Sequence, residues 1–167
     1  MAVNIPYTAQ RLWPSPLGTI WAARTDAGLA GLWFAEGQKD TPEALDAPLR
    51  DDDPLLQAVE AILADYWRNG TLRCDLPLDL HGTAFQREVW RALLKVPQGH
   101  TLSYRSLAER IGRPQAVRAV GAAVGRNPVS ILVPCHRIVG SDGRLTGYAG
   151  GLERKVALLR LERVLAA

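Results

Sequence analysis

The chain is 167 residues long, 47% hydrophobic and 22% charged, the composition of a globular protein with one domain or two small ones, which excludes a disordered tail or a collagen-like fibre. No apolar run reaches the ~18 residues a membrane-spanning helix needs. Residues 1–14 show no basic region leading into an apolar core, and two cysteines, Cys74 and Cys135, are too few for a disulfide scaffold, so a reduced, cytoplasmic setting without a membrane partner is expected. The formal charge of +3 hides a split: residues 1–80 hold 6 Lys/Arg against 12 Asp/Glu, and residues 81–167 hold 14 against 5. A basic, arginine-rich half fits a polyanion-binding face or an ordinary solvated surface.

Residues 18–24 and 29–34 are apolar runs separated by Thr25-Asp26-Ala27-Gly28, which predicts a hairpin. Residues 36–53 are polar and acidic and read as loop. Asp53-Pro54 is an N-cap followed by proline at the first helical position; Leu55, Val59, Ile62, Leu63 and Tyr66 then share one helical face and Gly70 marks the stop. Leu72, Cys74, Leu76, Leu78 and Leu80 alternate as in a half-buried strand, with Pro77 placing it at an edge and Cys74 among its core residues. The character changes near His81-Gly82. Thr83-Ala84-Phe85-Gln86 is a capping box opening a helix to about Val96. Ser103 caps a second helix over residues 104–111, and Pro114 leads into a third over about 115–124. Two helices joined by Gly112-Arg113-Pro114 are helix-turn-helix-like. The third is built from small residues around one long side chain, Arg118; small residues suit a helix lying deep in a DNA groove, and equally a close helix–helix contact.

Ile131-Leu132-Val133 reads as a short strand delivering Pro134-Cys135-His136-Arg137 at its end. A cysteine beside a histidine is a candidate nucleophile and base. A free thiol has a pKa near ~8.5, so the sulfur needs activation, and the histidine needs a partner to fix its tautomer. Spacing leaves Asp142, Glu153 and Glu162 open as that partner. No paired ligand spacing supports zinc. Gly140-Ser141-Asp142-Gly143 reads as a tight turn between two short strands, a wing after the helix-turn-helix. Gly147-Tyr148-Ala149-Gly150-Gly151 lets backbone amides approach a flat ring, and a last helix spans residues 152 to about 165 with Val156, Leu158 and Leu159 inward.

Pro134-Cys135-His136-Arg137, preceded by Asn127-Pro128 and followed by Gly147-Tyr148-Ala149-Gly150-Gly151, resembles the active-site signature of the O6-alkylguanine-DNA alkyltransferases in their stand-alone bacterial-type form. The resemblance runs from about residue 83 to 162 and includes FQREVWRALL at 85–94, SYRSLA at 103–108 and AVRAVGAAVGRNP at 116–128. The first half resembles the family only in layout. What this implies is an α+β protein: a supporting ribonuclease-H-like sheet and helix domain over residues 1–80, then a mostly helical winged-helix-like DNA-binding domain over residues 81–167. The implied reaction is a single, irreversible transfer of an alkyl group from guanine O6, and also from thymine O4, in duplex DNA to a cysteine, with no cofactor. By resemblance Cys135 is the acceptor, His136 the base acting through a water, Glu162 the carboxylate that orients it, and Tyr104 the donor to guanine N3. Arg118 is the finger that fills the place of the flipped nucleotide, with Ser103, Ala116, Ala119, Gly121 and Ala122 on the DNA face. Asn127, Pro134, Arg137, Ile138, Tyr148 and Ala149 shape the pocket. The human-type members carry zinc in the first half; residues 1–73 here contain no cysteine or histidine, so no metal is expected. Thr146 stands where some members have glycine, which narrows the pocket. The expected partner is duplex DNA containing O6-alkylguanine, met by a monomer. A lesion-binding module without chemistry would explain the charge split and the helices but not Cys135, His136, Tyr104 and Glu162 together. A cysteine hydrolase would leave the DNA-like half unexplained.

Overall fold

The computed structural model describes residues 4–166; residues 1–3 and 167, the outer ends of the two expected domains, lie outside it. The architecture is mixed α/β. Contacts divide the chain between His81 and Gly82 into two compact units, and Pro128–Ser130 belong with the first.

In the first unit an antiparallel sheet runs in the order β1 (Ala9–Trp13), β2 (Ile20–Thr25), β3 (Gly28–Phe34). The hairpin is where Thr25-Asp26-Ala27-Gly28 predicts it. β1, which the sequence does not signal, pairs Ala9 with Arg24 through to Trp13 with Ile20. β3 is buried along its whole length. At its start a Cβ on Gly28 would lie 2.4 Å from the Pro77 carbonyl oxygen, so only glycine lets the two backbones approach. Helix α1 (Pro54–Asn69) begins as its sequence dictates: Asp53 accepts from the Leu56 amide at 3.0 Å, and Gly70, at φ 74°, closes it by donating to Tyr66 O. Leu56, Val59, Leu63 and Tyr66 are buried.

Two expectations fail here. Residues 72–80 form no strand. Leu78 makes one isolated parallel bridge to Leu29, with the Leu29 amide donating to Pro77 O and the Asp79 amide to Leu29 O. Pro77 has no N–H to extend the ladder. Cys74, ahead of that bridge, is exposed and not a core residue. The loop over residues 36–53 also carries a bridge, Gln10 to Leu49.

The second unit opens with α2 (Ala84–Leu93), whose capping box is complete: Thr83 and Gln86 each bond the other's backbone amide. Then come β4 (Leu102–Ser103), α3 (Tyr104–Arg110), α4 (Val117–Gly125), a single 3-10 turn (Cys135–Arg137), β5 (Ile138–Val139) and α5 (Leu152–Leu161). Trp90 Nε1 donates to Ala123 O at 2.8 Å and locks α2 to α4. Residues 131–133 form a turn, not a strand; Ile131 sits at φ 72°, a left-handed conformation that a β-branched residue rarely adopts. Their hydrophobicity serves burial, since residues 131–139 are buried throughout. No wing hairpin forms among the described residues. β5 pairs in parallel with β4, Leu102 opposite Ile138 and Ser103 opposite Val139, and the Gly140 amide closes a turn onto Arg144 O. α5 stops at Leu161, short of the expected 165, and leaves Glu162 as its C-cap.

Candidate functional site

Cys135 opens the 3-10 turn, 6% exposed, its amide donating to Val133 O at 2.8 Å. Asn127, two residues past α4, donates from Nδ2 to the same Val133 carbonyl at 2.8 Å and also hydrogen-bonds the cysteine sulfur. Burial pushes the Cys135 thiol up; the Asn127 bond, the Lys155 charge and the turn's backbone pull in the other direction without cancelling it. At rest the sulfur is a protonated thiol that needs a base.

The next residue in the chain is a histidine. His136 is fully buried, and its Nε2 lies 2.5 Å from Glu162 Oε2. Arg137 donates from Nε to Glu162 Oε1 at 2.7 Å and from Nη1 to Val96 O at 2.8 Å. Of the three carboxylates the spacing leaves open, the geometry selects Glu162. Because the carboxylate can only accept, His136 donates from Nε2, and its Nδ1 carries the lone pair. That Nδ1 is buried with no hydrogen-bond partner among the described residues. Burial holds His136 below its ordinary value, against the pull of Glu162, so the ring is a neutral acceptor near pH 7.

Tyr104 arrives by way of the β4–β5 pair, which sets residues 102–103 beside 138–139, directly after the cysteine turn. Its ring packs on Gly121 of α4, where an added Cβ would be 3.7 Å away. Its hydroxyl would be 3.9 Å from a Cβ on Gly147, and it bonds the Thr146 side chain. Burial raises its pKa. Pro134 and Ile138 are buried either side of the turn, and Ala149 is half-buried. The Tyr148 hydroxyl is buried without a partner among the described residues, and burial raises it well above its ordinary value. These groups therefore gather at one place.

Of the expected DNA-face residues, Gly121 and Ser103 adjoin this place through Tyr104 and Val139. Arg118, Ala119 and Ala122 are exposed on α4, while Ala116 and Gly121 are half-buried. The Ser103 hydroxyl is engaged as the α3 N-cap, accepting from the Ser106 amide at 3.0 Å. One residue escapes the sequence reading. Lys155 is fully buried on α5, and its Nζ donates to Ile138 O at 2.5 Å, Thr146 O at 2.8 Å and Gly147 O at 3.3 Å. Its signal is present: residues 155, 158, 159 and 162 fall on one helical stripe, so a lysine there faces the interior with Leu158 and Leu159.

A buried thiol followed in the chain by an oriented neutral imidazole thus shares a unit with the α3–α4 helix pair, the arrangement of a cysteine-bearing helical domain. Residues 84–164 match the family described as 6-O-methylguanine DNA methyltransferase, DNA binding domain. The chain is 44% identical over 149 residues to a methylated-DNA–protein-cysteine methyltransferase of Mycolicibacterium paratuberculosis, covering 89% of this chain and 88% of that one. To the protein of the same name from Methanosarcina barkeri it is 43% identical, covering 89% and 92%. The crystal structure of Mycobacterium tuberculosis OGT in complex with DNA superposes with a TM-score of 0.84 at 41% identity, covering 93% of each chain. The chain belongs to the methylated-DNA–protein-cysteine methyltransferase family.

Proposed function

We propose that this protein repairs DNA by direct reversal, taking the alkyl group of O6-alkylguanine, and also of O4-alkylthymine, onto Cys135 in a single irreversible turnover. The observation that carries the reading is the buried His136–Glu162–Arg137 cluster directly following Cys135 in the chain: a neutral imidazole whose Nδ1 has no partner among the described residues, next in sequence to a thiol that burial keeps protonated. In the proposed step the thiol proton passes through a water to His136 Nδ1, and Glu162, itself held by Arg137, steadies the imidazolium. The sulfur attacks the alkyl carbon; the S–C bond forms as the C–O6 bond breaks, and the electron pair of that bond moves onto the purine. Tyr104, raised above its ordinary value yet still a donor, passes a proton to N3 and offsets that charge. The thioether has no easy leaving path, so the protein is consumed.

Guanine O6 lies inside the duplex, so the nucleotide must be extruded, at a few kcal/mol. Exposed Arg118, on a helix of small residues, is suited to fill the gap, with Ala116, Ala119, Gly121 and Ala122 of the same segment and Ser103 of β4 completing the DNA face. Asn127, Pro134, Ile138, Tyr148 and Ala149 form the pocket. The finer fold reading is a ribonuclease-H-like first domain over residues 1–80 and, over residues 81–167, a second domain that keeps the helix pair of a winged helix without the wing hairpin, acting as a monomer; the α3–α4 pair supports the second of these. Intact mass after incubation with a duplex containing O6-methylguanine tests the reading. The parent gains one methyl group and Cys135→Ser gains none. Tight binding to that duplex with no gain in mass would instead make the protein a lesion-binding module.

A further inference from the structure

Lys155 is a cation buried on an apolar helix stripe, and the alkyl-transfer step proposed above gives it no role beyond the pull of its charge on the Cys135 thiol. A buried ammonium is costly unless every N–H finds an acceptor. Here all three do: Ile138 O at 2.5 Å, Thr146 O at 2.8 Å and Gly147 O at 3.3 Å. Glu162, further along the same stripe, is taken by His136 and Arg137. The three carbonyls come from two segments. Ile138 directly follows the Cys135–Arg137 turn. Thr146 and Gly147 precede Tyr148-Ala149, and the Tyr104 hydroxyl lies against them. One side chain thus ties the acceptor turn to the loop that meets Tyr104.

We propose that the protonated Lys155 is a positioning residue for alkyl transfer: by holding the carbonyls of Ile138, Thr146 and Gly147 together, it fixes the pocket loop against the acceptor turn. This rests on the reading of Cys135 as the alkyl acceptor. The clamp needs the proton. A neutral amine has two N–H groups and a lone pair, so one carbonyl would lose its donor and face that lone pair. Burial lowers Lys155 and the Cys135 anion pulls partly against it, leaving it at about 8. The other titratable group that feels Lys155 is His136; Tyr104 faces the loop at residues 146–149, Tyr148 lies on it, and both feel Cys135; Glu162 and Arg137 act on His136, and Arg154 acts on Tyr148. The clamp is therefore closed at neutral pH and opens as pH rises through about 8.

The test compares the parent with Lys155→Met and Lys155→Arg, reading alkyl transfer from an O6-methylguanine duplex by intact mass, from about pH 7 to about pH 9.5. Loss of positioning lowers the Lys155→Met transfer rate at pH 7 by about 10²-fold, with a smaller change in affinity for the duplex. The parent-to-Met ratio then shrinks above pH 8, where the parent loses its own proton; Lys155→Arg, which keeps its charge, retains part of the rate and shows no such convergence on the Met variant. A ratio that stays constant with pH would mean that Lys155 only fills space, and would overturn the proposal. A second readout needs neither DNA nor a variant. Amide exchange at residues 145–149 of the parent, corrected for intrinsic rates, accelerates above pH 8; unchanged protection overturns the clamp even if Lys155→Met fails to fold. If the parent transfers no alkyl group, the functional reading fails, while the exchange experiment still decides the clamp.

Discussion

Glu162 receives His136 on one carboxylate oxygen and Arg137 on the other, so a single atom change tests both bonds. In Glu162→Gln an amide N–H must face one of those donors, and the imidazolium loses its counter-charge. The Cys135 thiol then ionises at higher pH and transfer at neutral pH falls by about 10²-fold or more. In a Cys74→Ser background, which removes the exposed thiol, titration of Cys135 against a small disulfide reagent measures the first effect; an unchanged curve would remove Glu162 from the relay. The same substitution leaves the Arg137 guanidinium buried without an anion, which costs roughly 3–5 kcal/mol of stability by denaturant unfolding. Residue identity makes part of this site legible. Cys135 beside His136 is a local signal, and Tyr104, Arg118 and Glu162 come through resemblance. The choice of Glu162 over Asp142 and Glu153 is not in the spacing, because it depends on where α5 stops. Lys155 is passed over because a lysine is ordinarily read as surface, although its stripe faces inward.

α4 presents Arg118 among exposed small residues, Ala119, Ala122 and Gly125, so one long side chain stands clear of its helix. Arg118→Ala should slow repair of a lesion in duplex DNA by at least an order of magnitude, the few kcal/mol of extrusion no longer being offset. Reaction with a free alkylated base, which needs no extrusion, should change little. Equal losses on the two substrates would sink the finger role. Elements with local stop and start chemistry are readable: the β2–β3 hairpin from its turn, α1 from Asp53-Pro54 and Gly70, α2 from its capping box. Pattern without backbone partners misleads. Alternation over residues 72–80 meets a proline and finds one bridge, and the apolar run at 131–133 is burial in a turn. The expected wing is replaced by a parallel pairing between β4 and β5, two segments far apart in sequence. No local rule contains that contact, yet it carries Tyr104 toward the cysteine.

The two units differ in how acid attacks them. In the second, His136 is held below its ordinary value of 6.5 by burial, so the unfolded chain takes up the proton first. The stability this contributes is complete above pH 6.5 and drains away as pH falls toward the folded value. In the first, Asp79 is desolvated, which raises it, but hydrogen bonds from Thr25 and His81 win and lower it below 3.8. Its contribution is lost only as pH falls below that value. Each tenfold difference in proton affinity between the folded and unfolded chain is worth ~1.4 kcal/mol. Amide exchange followed from about pH 7.5 downward should therefore show the second unit losing protection first; simultaneous loss would contradict the assignment. The chain also returns to the first unit for three residues: Pro128 O accepts from the Leu32 amide and the Ser130 amide donates to Leu32 O, only a few positions before Cys135. The units are consequently not interchangeable cassettes. A cut between His81 and Gly82 would orphan both of those bonds, and a graft of either unit onto another protein would need three junctions where a linear domain needs one.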